Sequence, residues 1–198
     1  AVSPKNVLGI TKRASEIITL SKSKELAFKK SNLSVVRFGN VFGSSGSAIE
    51  IFKNQIQTNS PITLTDTKMT RYFMSIREAC NLVLQSSQLK YPNSIYVLNM
   101  GKPVKIIDVI KKIHQKIYKQ DKNLNIKIIG KNKAEKLHEK LTSRKLKSTC
   151  LKNINFTKEK LISLKNVDYF LEHLEIYMKN YNQKKIFLLL KKFIKKQI

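Results

Sequence analysis

The stretch Ser34-Val35-Val36-Arg37-Phe38-Gly39-Asn40-Val41-Phe42-Gly43-Ser44-Ser45-Gly46-Ser47 opens as a short apolar strand and runs into a loop rich in glycine and serine. Beyond it, Ala48, Ile49, Ile51, Phe52 and Ile56 fall at helical spacing over residues 48–57. A buried strand that empties through such a loop into a helix is a building unit of α/β sheets. Ligands of open α/β sheets sit at the carboxyl ends of strands, and a helix N-terminus attracts an anion. Loop glycines let backbone amides approach a diphosphate closely.

The same alternation extends to both sides. Residues 6–30 carry Val7, Leu8, Ile10, Ile17, Ile18, Leu20, Leu26, Ala27 and Phe28 at mixed three- and four-residue spacing. That is the pattern of an amphipathic helix, entered past Pro4. Pro61–Thr65 reads as a strand, Ile76–Leu89 as a helix, Ser94–Leu98 as a strand, Val104–Tyr118 as a helix and Asn125–Ile129 as a strand ending at Gly130. The order predicts an α/β protein with part of a doubly wound parallel sheet. After residue 142 there is no glycine or proline, lysine density rises, and only helical periodicities are evident. A domain of residues 1–142 followed by a lysine-rich helical tail of residues 143–198 is therefore expected.

The 39 Lys+Arg against 13 Asp+Glu give a net charge of +26, yet only five of the cations are arginine: Arg13, Arg37, Arg71, Arg77 and Arg144. Nucleic-acid-binding faces usually enrich arginine, whose fork pairs with phosphate and guanine. Tyr and Phe fall in apolar periodicities without an interleaved basic-aromatic platform. Nucleic acid is thus not the favoured partner, and the excess of Lys, Ile and Asn resembles coding bias. The longest apolar run, Ile186-Phe187-Leu188-Leu189-Leu190, is bracketed by lysine pairs and far shorter than a membrane span. Cys80 and Cys150 have no metal-binding or disulfide spacing, so a reducing, cytoplasmic compartment is the default. His114, His138 and His173 are scattered and read as surface or packing residues.

Five segments occur in order. They are Pro4-Lys5-Asn6-Val7-Leu8-Gly9-Ile10-Thr11-Lys12-Arg13, the Arg37–Ser47 loop, Met69-Thr70-Arg71-Tyr72-Phe73-Met74, Tyr96-Val97-Leu98-Asn99-Met100-Gly101-Lys102-Pro103-Val104-Lys105-Ile106 and Glu135-Lys136-Leu137-His138-Glu139-Lys140-Leu141. Together they resemble the second half of the nucleotide-sugar 4,6-dehydratases of the polysaccharide-biosynthesis, CapD-like family (UDP-N-acetylglucosamine 4,6-dehydratase-like). These are extended short-chain dehydrogenases/reductases. The resemblance covers residues 1–141 and implies a Rossmann-like sheet without its N-terminal strands.

The resemblance assigns roles residue by residue. Lys12 matches the lysine of the Tyr-x-x-x-Lys pair, which hydrogen-bonds the ribose of NAD and lowers the pKa of a catalytic hydroxyl. Leu8 stands at the tyrosine position and cannot exchange a proton, so proton transfer falls to other groups. Asn40 would contact the sugar or its phosphate, with Ser44, Ser45 and Ser47 lining the same pocket. Arg71 would pair with the diphosphate, and Glu135 would hold the nucleotide ribose. Where the family reads Arg-Pro-Gly-Glu-Lys, this chain has Asn132-Lys133-Ala134-Glu135-Lys136, so a point charge on Lys131 or Lys133 replaces the fork. Arg13 and Arg37 read as structural ion-pair residues.

The six glycines (Gly9, Gly39, Gly43, Gly46, Gly101 and Gly130) form no Gly-x-x-Gly-x-x-Gly pyrophosphate loop. The family's catalytic Asp-Lys pair would fall immediately before Ala1. The resemblance thus implies the substrate-binding half of an NAD-dependent UDP-N-acetylhexosamine 4,6-dehydratase or epimerase, inactive alone. The expected partners are a UDP-sugar and either a second copy or a complementing N-terminal half. The alternative is a basic fragment binding nucleic acid or a membrane surface without enzymatic activity. For the membrane reading, residues 183–198 place Ile186, Leu189, Leu190 and Phe193 on one helical face flanked by lysines. Packing against Val167, Phe170, Leu171, Leu174 and Met178 of the preceding helix is the competing expectation.

Overall fold

The computed structural model describes residues 1–27, 33–44, 46–118, 123–131 and 135–195. In chain order the elements are α1 (Val7–Ala27), β1 (Val35–Arg37), β2 (Asn40–Val41), α2 (Ala48–Gln57), β3 (Ile62–Leu64), β4 (Thr70–Arg71), β5 (Phe73–Met74) and α3 (Ile76–Ser87). They continue with β6 (Ser94–Leu98), β7 (Val104–Lys105), α4 (Ile106–Ile117), β8 (Ile126–Ile128), β9 (Lys147–Ser148), β10 (Ile154–Lys158), α5 (Leu164–Lys179) and α6 (Gln183–Lys195). Predicted residues 28–30 of the first helix lie outside the described residues.

These elements gather into two compact units, interleaved along the chain. The first comprises Ala1–Arg37, Gln85–Leu98 and Thr142–Ile198; the second comprises Phe38–Leu84 and Asn99–Leu141. Residues beyond 142 therefore share a unit with α1.

In the first unit a mixed sheet runs in the order β1-β6-β10-β9. Strand β1 lies parallel to β6, with Val35 opposite Ile95 and Arg37 opposite Val97, whereas β10 is antiparallel, with Phe156 opposite Tyr96. All five residues of β6 are buried, as expected for a central strand. Its Ser94-Ile95-Tyr96-Val97-Leu98 sequence is accordingly a continuous run without polar alternation apart from Ser94. Strands β9 and β10 correct the expectation that only helices follow residue 142. The peptide groups of β6 need partners on both sides, and Ile154–Lys158 is too short for its period to stand out among the lysines.

Helices α1, α5 and α6 close over one core of Ile10, Ala14, Ile17, Val167, Phe170, Leu190, Phe193 and Ile194. Asn6 starts α1 by accepting the Gly9 N–H on its side-chain oxygen at 2.8 Å, and Ser163 caps α5 through the Asn166 amide. Phe170 and Phe193 stack with ring centres 3.9 Å apart. Burying each such ring contributes about 2–3 kcal/mol. The apolar stripe of α6 thus packs on protein, with Val167, Phe170 and Leu174 of α5 in the shared cluster as the competing expectation has it, whereas Leu171 and Met178 stay exposed.

In the second unit β2 is parallel to β5, β3 is parallel to β8, and β4 is antiparallel to β7. Helices α2 and α4 enclose Phe52, Ile56, Ile62, Leu64, Met69, Ile106 and Ile110. Residues 104–105, predicted as helix, form a strand because Val104 pairs with Arg71. The helix then begins at Ile106 with Asp108 in its first turn, where an acid favours the dipole.

No helix among the described residues is long and apolar enough to cross a membrane.

Candidate functional site

The loop from β2 to α2 is held by backbone contacts that only its own sequence permits. The Asn40 N–H donates to the Tyr72 carbonyl at 2.8 Å and the Phe42 N–H to that of Met74 at 2.9 Å, laying β2 on β5. A Cβ at Gly39 would come within 2.8 Å of the Tyr72 Cβ and 2.9 Å of its carbonyl oxygen, so no side chain fits there. Gly46 turns the loop into α2 with φ +69°, a left-handed conformation that favours glycine.

Ser47 stands at the N-cap of α2 in extended conformation, yet its hydroxyl makes no capping bond. The Oγ is buried and has no hydrogen-bond partner among the described residues. Helix geometry also leaves the first-turn amides of Ala48 and Ile49 without intrahelical acceptors. A cavity of about 380 Å³ opens here, lined by Asn40, Ser44, Gly46 and Ser47 with Phe52 and Phe73 behind them. The Ser44 hydroxyl donates to the Val41 carbonyl at 3.0 Å, fixing the turn, while Asn40 is exposed. Glu50, in the first turn of α2, accepts the Gly46 N–H at 2.8 Å. Donors and a helix N-terminus thus meet in one concavity, with one acid at its edge. Ser45 lies outside the described residues.

Arg71 is half-buried, and its guanidinium is directed at backbone rather than at the cavity. Nη1 donates to the carbonyls of Thr70 at 2.7 Å and Leu137 at 3.1 Å, and Nη2 to that of Lys136 at 2.9 Å. Thr70 adds an N–H to the Leu137 carbonyl at 3.1 Å and a side-chain bond to His138 Nδ1 at 2.9 Å. Glu135 Oε1 accepts the Thr65 hydroxyl at 3.3 Å. The Glu135–His138 segment is therefore stitched to β4 and the end of β3. Residues 132–134, where the family arginine would stand, lie outside the described residues. One carboxylate oxygen of Glu139 is buried without a hydrogen-bond partner among the described residues, a feature that residue identity alone did not suggest.

In the first unit Lys12 is exposed on α1, one turn after the 64% exposed Leu8. It makes no ion pair among the described residues. Its neighbour Arg13 bridges Glu16 at 2.9 Å and Glu159 at 2.8 Å, and Arg37 also reaches Glu16. Burial pushes the Glu16 carboxyl up, but hydrogen bonds and charge from Arg37 and then Arg13 outweigh it and hold the group below its ordinary value. Burial likewise opposes the charge on Arg13, and bonds to Glu159 and Glu16 outweigh it, raising that group. Both arginines thus form the ion pairs expected of them.

Residues 1–160 match the family described as polysaccharide biosynthesis protein. The chain belongs to this CapD-like family. Over 144 residues, 73% of this chain and 24% of the relative, it is 44% identical to the capsular polysaccharide biosynthesis protein CapD of Staphylococcus aureus. It is also 44% identical to the probable polysaccharide biosynthesis protein EpsC of Bacillus subtilis strain 168, over 145 residues that are 73% of this chain and 24% of EpsC. The crystal structure of Pen from Bacillus thuringiensis superposes with a TM-score of 0.69 at 29% identity, covering 82% of this chain and 51% of Pen. This family member therefore spans about a quarter of the length of those curated relatives. Of the positions that the family resemblance links to NAD, this chain holds Lys12, which is exposed on α1.

Proposed function

We propose that this chain carries the nucleotide-sugar-binding share of an NAD-dependent UDP-N-acetylhexosamine 4,6-dehydratase or epimerase, and that the cavity before α2 takes the sugar-diphosphate end. The unpartnered Ser47 hydroxyl at the mouth of a helix carries this reading. A buried hydroxyl without a partner costs about 1–3 kcal/mol, and a phosphate oxygen beside it removes that cost. The first-turn amides of α2 and its dipole add to the attraction. Asn40 supplies an amide donor and acceptor for a sugar hydroxyl, and Ser44 holds the turn that presents both.

Arg71 secures the Glu135 segment, so that the Glu135 carboxylate is available to a nucleotide ribose. On the first unit, Lys12 donates to the ribose of the cofactor. NAD, when bound, supplies the means of taking and returning hydride at the sugar. Leu8 leaves its position without an exchangeable proton, so the proton transfers of a dehydration belong to other groups. With no glycine-rich pyrophosphate loop among its six glycines, the 198-residue chain binds substrate and does not turn it over.

Titration calorimetry with UDP-N-acetylglucosamine tests this. The chain is expected to bind the UDP-sugar well above inorganic phosphate, and Ser47→Ala or Asn40→Ala to weaken binding about tenfold. Equal affinity for phosphate, or undiminished affinity in both variants, overturns the reading.

A further inference from the structure

The hairpin of α5 and α6 carries a second concavity, in the first unit and beyond the residues matched to the family. One wall is an aromatic row at successive turns of α5: Tyr169, His173 and Tyr177. Ring centres lie 3.9 Å apart for the first pair and 6.2 Å for the second. The His173 Nδ1 hydrogen is donated to the Tyr169 carbonyl at 2.9 Å, which fixes the imidazole and turns Nε2 away from the backbone. The other wall is α6, with Lys185 and Lys192 lining the groove and the Lys185 ammonium 5.4 Å from the Tyr177 ring centre. Stacked Phe170 and Phe193 belong to its floor. The groove is open to solvent with a volume of about 300 Å³, and no acid is among the described residues that line it.

Three features narrow the occupant. Tyr169 is 56% exposed although His173 packs against one side of its ring, so aromatic surface on its other side is left to solvent. Two ammonium groups and no carboxylate ask for an anion. The space suits one ring system with a phosphate, and a run of stacked bases would need several separate platforms. We propose that this groove is a binding site for a mononucleotide, its base against the Tyr169–His173–Tyr177 row and its phosphate on Lys185 and Lys192. The site is independent of the cavity before α2. The lysine-rich end of the chain is, on this reading, a specific binding element and not only solvated charge.

The test is titration of the full chain with uridine and adenosine monophosphates, followed by tyrosine fluorescence and by the NMR signals of the His173 ring. Nucleotide is expected to shift the His173 signals saturably in the wild type and equally in Ser47→Ala, which weakens the other site. Lys185→Ala/Lys192→Ala and Tyr169→Leu should each weaken that response about tenfold, with unchanged circular dichroism. Uridine and inorganic phosphate should each bind at least about tenfold more weakly than the nucleotide. The proposal is overturned if the His173 signals do not move, if phosphate alone acts as strongly, if the variants bind normally, or if only single-stranded oligonucleotides bind.

Discussion

Arg37 grips Glu16 through both ends of its fork, Nε to Oε1 and Nη2 to Oε2, each at 2.6 Å. The contact joins the end of β1 to the middle of α1, and Arg13 brings Glu159 into the same network. Such a pair is costly to break from one side, because the remaining charge stays buried.

Glu16→Gln should therefore destabilise the chain at neutral pH by about 3 kcal/mol. Its carboxyl is held below the ordinary value, so its contribution is complete above roughly pH 5 and fades as the pH falls through the folded value. Urea melts at pH 7 and pH 3 should show the gap between wild type and variant narrowing in acid. A gap of constant size contradicts this account.

Gly39→Ala places a methyl carbon within 3 Å of Tyr72, against both its Cβ and its carbonyl oxygen. Backbone cannot step aside as a flexible side chain does. A loss of about 1–3 kcal/mol is expected, with hydrogen exchange rising at the Asn40 and Phe42 amides. Exchange at wild-type rates speaks against so tight a fit.

Glu50 brings negative charge to the helix end where a phosphate would sit, while holding the Gly46 amide. Glu50→Gln keeps an acceptor and removes the repulsion. Affinity for a UDP-sugar should rise about threefold, most visibly at low salt. Unchanged or weaker binding places the anion elsewhere.

Arg71→Lys keeps the charge and loses the fork. If the residue secures Lys136 and Leu137, the Thr70 amide, which bonds the Leu137 carbonyl, should exchange about tenfold faster even without ligand. Unaltered exchange combined with weaker UDP-sugar binding would instead make Arg71 a direct phosphate contact.

Much of this architecture was legible in the chain. Residues 48–57 and 94–98 take up the helix and strand that their apolar spacing predicts, because burial on a face or on both faces imposes a period. Strand β10 was not legible, since its five residues acquire their state from pairing with β6. Arg13 and Arg37 form the structural ion pairs expected of them. The engagement of Arg71 with carbonyls from Lys136 and Leu137 did not, because it depends on a contact 65 residues away. The aromatic row on α5 could have been found from its i, i+4, i+8 spacing, but the lysines that complete it come from α6.

Strand β6 has one neighbour made well before it and another made well after it, with Phe156 opposite Tyr96. During synthesis its second edge stays bare until the ribosome has released Lys158. Throughout that interval a nascent chain can pair with another nascent chain, so slower translation between Leu98 and Ile154 should lower the yield of native protein.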